Sequence, residues 1–309
     1  MKNTLVSLEP SLVALIEMKA TMECGDQALL YSSTYIKQLN DHISRLCRLS
    51  SAEIAAKINY LVGCLTITLD MPMSDLKFLR VRRCEGKRFE HIKELSYIEC
   101  TTKNFPVQGR LNQSGQALFY AALAIKPDDT ALRVVLSEAG ANNLDHLNVI
   151  NSHQKGDCDL YMRVIGLWDQ ARYGYQPYYL GNHIFDYYKK AIELMEQKFA
   201  PNLLLAYQLT DRFFADILSR KGSVALYQVT SVISSLFLEG STCDGVLYSS
   251  VEAKGEPVVA LKPLAVDSKL KHKWVCDIKV NQWFGYEFFK YKTLSKTVSI
   301  DGKSGNLVW

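Results

Sequence analysis

A chain of 309 residues, 48% hydrophobic and 22% charged, has the length for one large core or two smaller ones and the composition of a globular protein. Its formal net charge of +4 is spread along the chain. The short basic clusters Lys269/Lys271/Lys273 and Arg80/Arg82/Arg83 are thinner than the footprint of a general nucleic-acid binder, so nucleic acid is not an expected partner.

Residues 1 to about 70 read as helical. Ile36, Leu39, Ile43 and Leu46 recur at helical spacing, as do Ile54, Ile58, Leu61 and Leu65, and Ser50-x-x-Glu53 has the form of a capping box. Met71-Pro72-Met73 breaks the pattern and sets a boundary. Leu76 to Arg82 alternates apolar and basic residues and predicts a strand. Gly109 to Gly115 reads as a loop, Ala117 to Ala122 as a buried strand and Thr130 to Ser137 as a helix. Further on, Asn182 caps a helix carrying Ile184, Tyr188, Ala191 and Met195, which Pro201 ends. A second helix with Leu205, Leu209 and Phe213 runs to the breaker Lys221-Gly222. Asp244 to Ser250 and Pro257 to Leu261 predict short strands, and the aromatic tail from Trp274 to Trp309 alternates enough to suggest more. Helices and strands mix without a βαβ rhythm, so the class is α+β. Three segments follow: a helical region 1–72, a central domain 73–265 with a helical insertion at about 160–222, and a C-terminal extension 266–309.

No run approaches the ~18 apolar residues of a membrane span, and Met1 to Val6 runs into Glu9 and Pro10 where a signal peptide would have its apolar core. The eight cysteines form no C-x-x-C pair and read as small hydrophobes. A cytoplasmic protein with no membrane partner is expected. Dinucleotide-binding and phosphate-binding glycine loops, H-E-x-x-H and G-x-S-x-G are absent. Ser74-x-x-Lys77 lacks the companion motifs of a penicillin-binding enzyme. With the six histidines scattered and no Cys/His cluster at zinc spacing, neither histidine-based nucleophilic catalysis nor a bound metal is expected.

Four places set polar groups at strand ends or in glycine loops: Arg80 in Phe78-Leu79-Arg80-Val81-Arg82, Arg110 in Gly109-Arg110-Leu111-Asn112-Gln113-Ser114-Gly115, Tyr120 after Phe119, and Ser250 closing Asp244-Gly245-Val246-Leu247-Tyr248-Ser249-Ser250. In this order, from Phe78 to about Pro263, they resemble the RES domain, a bacterial family named for its arginine, glutamate and serine positions. Leu111 stands where the family has an aromatic. The glutamate position of the family's helix falls at Arg133-Val134. Glu138 lies one turn further and faces the same side if the helix continues. A turn is about 5.4 Å, so Glu138 serves as the acid only if the preceding loop compensates; otherwise the acid is lost or relocated.

The resemblance implies an ADP-ribosyltransferase-like split β-sheet with flanking helices, and degradation of NAD+ at the nicotinamide–ribose bond by phosphorolysis or hydrolysis. NAD+ is then a substrate. The implied catalytic residues are Arg80, Glu138 and Ser250, with Arg110, Asn112, Tyr120 and Tyr248 binding substrate. A guanidinium from Arg80 or Arg110 suits the pyrophosphate, and Tyr120 suits the nicotinamide ring. Glu138 would stabilise oxocarbenium character on the ribose, and Ser250 would orient the ribose or the amide. An antitoxin is the partner that the resemblance implies. The N-terminal helices are left with two roles, homo-oligomer contact or cover for the pocket. Two other readings stay open: a RES-like binding or interaction module that has lost catalysis, and ADP-ribosyl transfer to a macromolecule.

Overall fold

A computed structural model describes residues 7–22, 24–67, 69–84, 86–101, 105–238, 242–253 and 255–309. Met1 to Val6, where the missing signal core was noted, lie outside them. The chain forms two compact units, one of residues 1–69 and 164–237, the other of residues 70–163 and 238–309.

The first unit is helical. Its N-terminal part holds α1 (Pro10–Met22), α2 (Gly25–Ile43) and α3 (Ser51–Leu65). The fourth helix, α4 (Thr130–Glu138), belongs to the second unit. The first unit resumes with α5 (Trp168–Arg172), α6 (Asn182–Lys198), α7 (Pro201–Ser219) and α8 (Val224–Leu238). The capping box at α3 forms: the Ser50 hydroxyl accepts from the Glu53 N–H, and the Glu53 carboxylate accepts from the Ser50 N–H at 2.7 Å. Ile54, Ile58, Leu61 and Leu65 are the buried stripe of that helix. α7 carries the largest apolar face, including Leu203, Tyr207, Phe214 and Ile217, and packs on α2. The Tyr207 hydroxyl satisfies the Cys64 carbonyl at the end of α3, at 2.8 Å. Three details differ from the sequence reading. Leu46 lies beyond α2 and is 78% exposed. Gly181, not Asn182, is the N-cap of α6. Pro201 opens α7 at its first turn, where a missing N–H costs nothing, after α6 has already ended.

The second unit is built on a nine-stranded sheet in the order β1-β5-β6-β7-β3-β2-β4-β8-β9. These strands are β1 (Met71–Met73), β2 (Lys77–Arg83), β3 (Phe119–Leu123), β4 (His146–Gln154), β5 (Leu160–Val164), β6 (Gly245–Ser249), β7 (Pro257–Leu261), β8 (Leu270–Gly285) and β9 (Phe288–Lys296). The pairings of β2 with β3 and β4, of β7 with β3 and β6, and of β8 with β4 and β9 are all antiparallel. A short helix α9 (Pro263–Lys269) leads into β8, and a small ladder joins β10 (Ser299–Ile300) to β11 (Leu307–Val308). The chain is α+β, with its helices and its sheet largely segregated.

The unit boundaries differ from the three consecutive segments expected. Residues 164–237 join residues 1–69 in one helical body, whereas residues 160–163, at the start of the expected insertion, lie in the sheet unit as part of β5. The tail is integral to the sheet, because β8 pairs along β4 from Leu270 to Lys279. Leu307 packs with Leu95, Ile150 and Val275 in one buried cluster.

One feature positions the candidate site. β2 pairs with β4 along its whole length, from Lys77 to Arg83, yet with β3 only through Phe78↔Leu123 and Leu79↔Ala122. Past Leu79 the two strands part while β3 stays paired to β7 through Phe119. α4 packs over this parting, against both β2 and β3.

A half-buried histidine sets a pH dependence for this unit. A register shift between Asn151 and Ser152 places His272 opposite Ser152, and the His272 Nδ1 lies 2.7 Å from the Ser152 hydroxyl. Burial pulls the His272 pKa down to about 4, against a smaller upward pull from Asp267. The unfolded chain, with a histidine pKa of about 6.5, therefore takes up this proton first. The contribution of His272 to stability is whole above about pH 6.5, declines as pH falls and is gone below about 4. Denaturant unfolding of the wild type and of His272→Asn between pH 7 and 4 should show a shallower decline in the variant.

Candidate functional site

The Arg80 side chain fills the gap where β2 and β3 part. Its Nε donates to the Leu95 carbonyl at 3.0 Å and its Nη1 to the Tyr120 carbonyl on β3 at 2.8 Å. A guanidinium thus replaces the missing rungs of the ladder, satisfying a carbonyl that has lost its strand partner. The ring of Phe119 lies 5.3 Å from the guanidinium carbon. Desolvation, with Arg82 next in effect, pulls the Arg80 pKa down to about 9, so the group still carries its charge at neutral pH.

Beside this gap opens a cavity of about 150 Å³. Its polar lining is Arg80, Tyr120, Glu138 and Tyr248, with Val135 of α4 and Val259 of β7 among the apolar walls. Tyr120 comes from β3 and Tyr248 from β6, so with β2 and β7 four strands and one helix contribute.

Tyr120 also anchors the loop before it. Its hydroxyl donates to Asn112 Oδ1 at 2.8 Å and accepts from the Leu111 N–H at 3.0 Å. The Asn112 amide group donates in turn to the carbonyls of Val107 and Gln113, and the Gly109 N–H returns to the Asn112 carbonyl at 3.0 Å. A Cβ at residue 109 would stand 2.5 Å from Asn112 Oδ1, so only glycine leaves room for this knot. Leu111, fully buried, fills core space.

Glu138 is the last residue of α4, and Gly140 stops the helix just after it with a φ of +59°. A carboxylate at a helix C-terminus meets the negative end of the dipole, an unfavourable position by roughly 0.3–1 kcal/mol. The chain from β6 compensates. The Ser250 hydroxyl donates to Glu138 Oε1, and the Val251 N–H donates to the same oxygen at 3.1 Å. Ser250 is itself held, accepting from the Ala253 N–H at 2.9 Å, and is 1% exposed. Glu138 is exposed on the cavity side.

Of the residues expected at a site, Arg80, Tyr120, Glu138 and Tyr248 line one cavity, and Ser250 and Asn112 sit directly behind Glu138 and Tyr120. Two placements differ from the expectation. Ser250, expected to touch the ribose or the amide, is buried with its hydroxyl engaged by Glu138 and Ala253, so it holds the Glu138 carboxylate. Arg110 is half-buried in the loop and is not among the residues lining the cavity. The Ser250–Val251 turn reaches the end of the helix and holds the Glu138 carboxylate through two hydrogen bonds. Val134, at the family's acid position, is 2% exposed and serves the core. The missed signal was Glu138-Ala139-Gly140, a helix stop that sets this carboxylate on the last turn.

Compared with protein-family models, with curated proteins and with solved structures, the chain matches none of them. Among the described residues no helix is long and apolar enough to cross a membrane.

Replacing Ser250 by alanine removes a donor from Glu138 and an acceptor from the buried Ala253 N–H, for a loss of about 1–3 kcal/mol in unfolding free energy. Ser250→Cys, which keeps a weak donor, should lose less in the same denaturant titration.

Proposed function

We propose that the sheet unit binds NAD+ and cleaves its nicotinamide–ribose bond. The observation that carries this reading is the Glu138 carboxylate, held by Ser250 and Val251, facing the same cavity as Arg80, Tyr120 and Tyr248. Four residue types that the RES resemblance joins, drawn from separate parts of the chain, meet at one place. The parting of β2 and β3 around Arg80 supports reading the sheet as the split sheet of an ADP-ribosyltransferase-like core.

The chemistry follows from those groups. Pockets for whole drug-sized ligands run to about 300–1,000 Å³, so a cavity of about 150 Å³ suits one ring, with the rest of a dinucleotide extending outside it. Nicotinamide is that ring, its cationic face against Tyr120 or Tyr248. As the glycosidic bond breaks, positive charge passes to the ribose, where a carboxylate fixed before the reaction stabilises it without reorganising. Glu138 is so fixed. Arg80 has donors committed to two carbonyls, so it contributes its fixed charge toward the pyrophosphate and the rigidity of the gap more than a bidentate grip. Phosphate or water then takes the ribose carbon. Unchecked turnover would drain the cell's cofactor, which gives an antitoxin partner its rationale.

Purified protein incubated with NAD+, with and without inorganic phosphate, should release nicotinamide. Dependence on phosphate marks phosphorolysis. Glu138→Gln should lower kcat by roughly 10²–10³-fold, the range seen when a preorganised electrostatic group is removed, with an unchanged circular-dichroism spectrum. Folded protein that binds NAD+ by calorimetry but releases no nicotinamide in either buffer would leave a binding module and sink the enzymatic reading. Label from NAD+ appearing on a macromolecule would shift it to ADP-ribosyl transfer.

A further inference from the structure

At the far end of β2 a second group of side chains converges. The Cys84 N–H donates to the His146 carbonyl at 2.9 Å, extending the β2–β4 ladder by one step beyond Arg83↔Leu147 and placing Cys84 opposite His146. On the other side of β4, Asn148 pairs with Asp277 of β8. Residues two apart on a strand share a face, so Cys84, His146 and Asp277 all stand on one side of three adjacent strands. Their ligand atoms lie within 4.8 Å of one another. We propose that Cys84, His146 and Asp277 form a binding site for a single divalent ion of the zinc class.

Several observations beyond proximity support it. His146 Nε2 is shut off from solvent and has no hydrogen-bond partner, although Asp277 Oδ1 lies only 2.7 Å away. The carboxylate is close but off the hydrogen-bonding direction, an arrangement that leaves a buried polar atom unsatisfied at a cost. A metal placed between the donors removes that cost. Zinc distances of about 2.0–2.3 Å hold tetrahedral donor atoms roughly 3.3–3.8 Å apart. The sulfur therefore has to close in and the His146–Asp277 pair to open, each by about an ångström or less.

The charge balances as well. The thiol loses its proton to solvent on coordination. Thiolate and carboxylate then offset the dication, and the buried assembly is neutral. Asp277 is oriented from behind: Asn148, fully buried, donates to Asp277 Oδ1 at 2.8 Å, and its own oxygen accepts from the Phe89 N–H at 2.9 Å. Such outer contacts are what fix a ligating carboxylate. A mixed thiolate, imidazole and carboxylate set suits zinc better than calcium or magnesium, which take oxygen ligands.

Three protein ligands leave a fourth position open. Cys84 and His146 border a cavity of about 460 Å³ whose rim carries Arg83 and Lys279. Asp145 shares that rim and pairs with Arg83 at 3.2 Å, so water suits that position. The ion would tie β2, β4 and β8 together just past the end of β2, separate from the cavity at Arg80.

The test is to strip the full-length protein with chelator and titrate it with Co²⁺ and then Zn²⁺. One Co²⁺ per chain is expected, with a thiolate-to-cobalt absorption band that Zn²⁺ abolishes, and an unfolding midpoint raised by Zn²⁺ and lowered again by chelator. Cys84→Ser should lose the band, and Asn148→Ala should weaken binding by roughly 10–100-fold. His146→Gln and Asp277→Asn, each checked for folding by circular dichroism, carry the same expectation should Cys84→Ser misfold. The exposed Cys24, Cys47 and Cys100 remain in every variant, so background binding at those thiols would persist unchanged. No binding by the wild type, or an unaltered band in folded variants at all three positions, overturns the site.

Discussion

A sheet that parts between two neighbouring strands must find partners for the backbone groups it exposes, and here a single guanidinium meets that demand. β2 and β3 share two residue pairs and then diverge, and Arg80 bridges them from its position on β2 to the Tyr120 carbonyl on β3. Without that bridge the Tyr120 carbonyl would lose the hydrogen bond from Arg80, or the strands would zip together and close the cavity. Because a charge is held there against desolvation, the gap stays both open and polar. The cavity, the loop knotted onto the Tyr120 hydroxyl and the approach of α4 all depend on this parting.

The same logic explains why Glu138 sits on the last turn of α4. Within the helix, the position at Val134 faces the core and is 2% exposed, so a carboxylate there would need its own buried partners. At the last turn Glu138 reaches the cavity, and the turn after β6 supplies two donors to one of its oxygens. One oxygen is thereby fixed to the protein and the carboxylate cannot swing away. The shape of the Ser250–Val251 turn is itself set by the Ala253 N–H on Ser250, so Glu138 and this turn form one hydrogen-bonded unit.

Sequence patterns revealed those parts of the fold that answer to local rules. The alternation in Leu76 to Arg82, the apolar run at Phe119 and the Ser50/Glu53 pair each report a local constraint, and each became the expected element. β4 escaped because it is a central strand buried on both faces and still carries Asn148, Asn151 and Ser152 there. Polar residues satisfied across strands, as Asn148 is by Asp277 and Ser152 by His272, erase both the alternation and the apolar run by which a strand is recognised. The helical unit likewise joins residues 1–69 to 164–237 across nearly a hundred intervening positions, and no local pattern encodes that pairing. Of the site, Arg80, Tyr120 and Tyr248 were legible through ordered motifs. The burial of Ser250 was not, because it follows from the contact with Glu138, 112 positions away.

The grouping of Cys84, His146 and Asp277 shows the same limit more sharply. Their separations in sequence match no metal-binding spacing, since such spacings describe ligands carried on one hairpin or helix. In a sheet, ligand geometry is set by register: one extra ladder rung places Cys84 opposite His146, and the Asn148↔Asp277 pair aligns the third group. Slipping β8 by one residue would turn Asp277 to the other face and dissolve the cluster. The bonds from Asn148 to Asp277 and from the Phe89 N–H to Asn148 resist that slip, because breaking them would strand polar atoms in the interior. The polar pairing that hid β4 from pattern reading therefore also pins the register on which both the strand and its cluster rely.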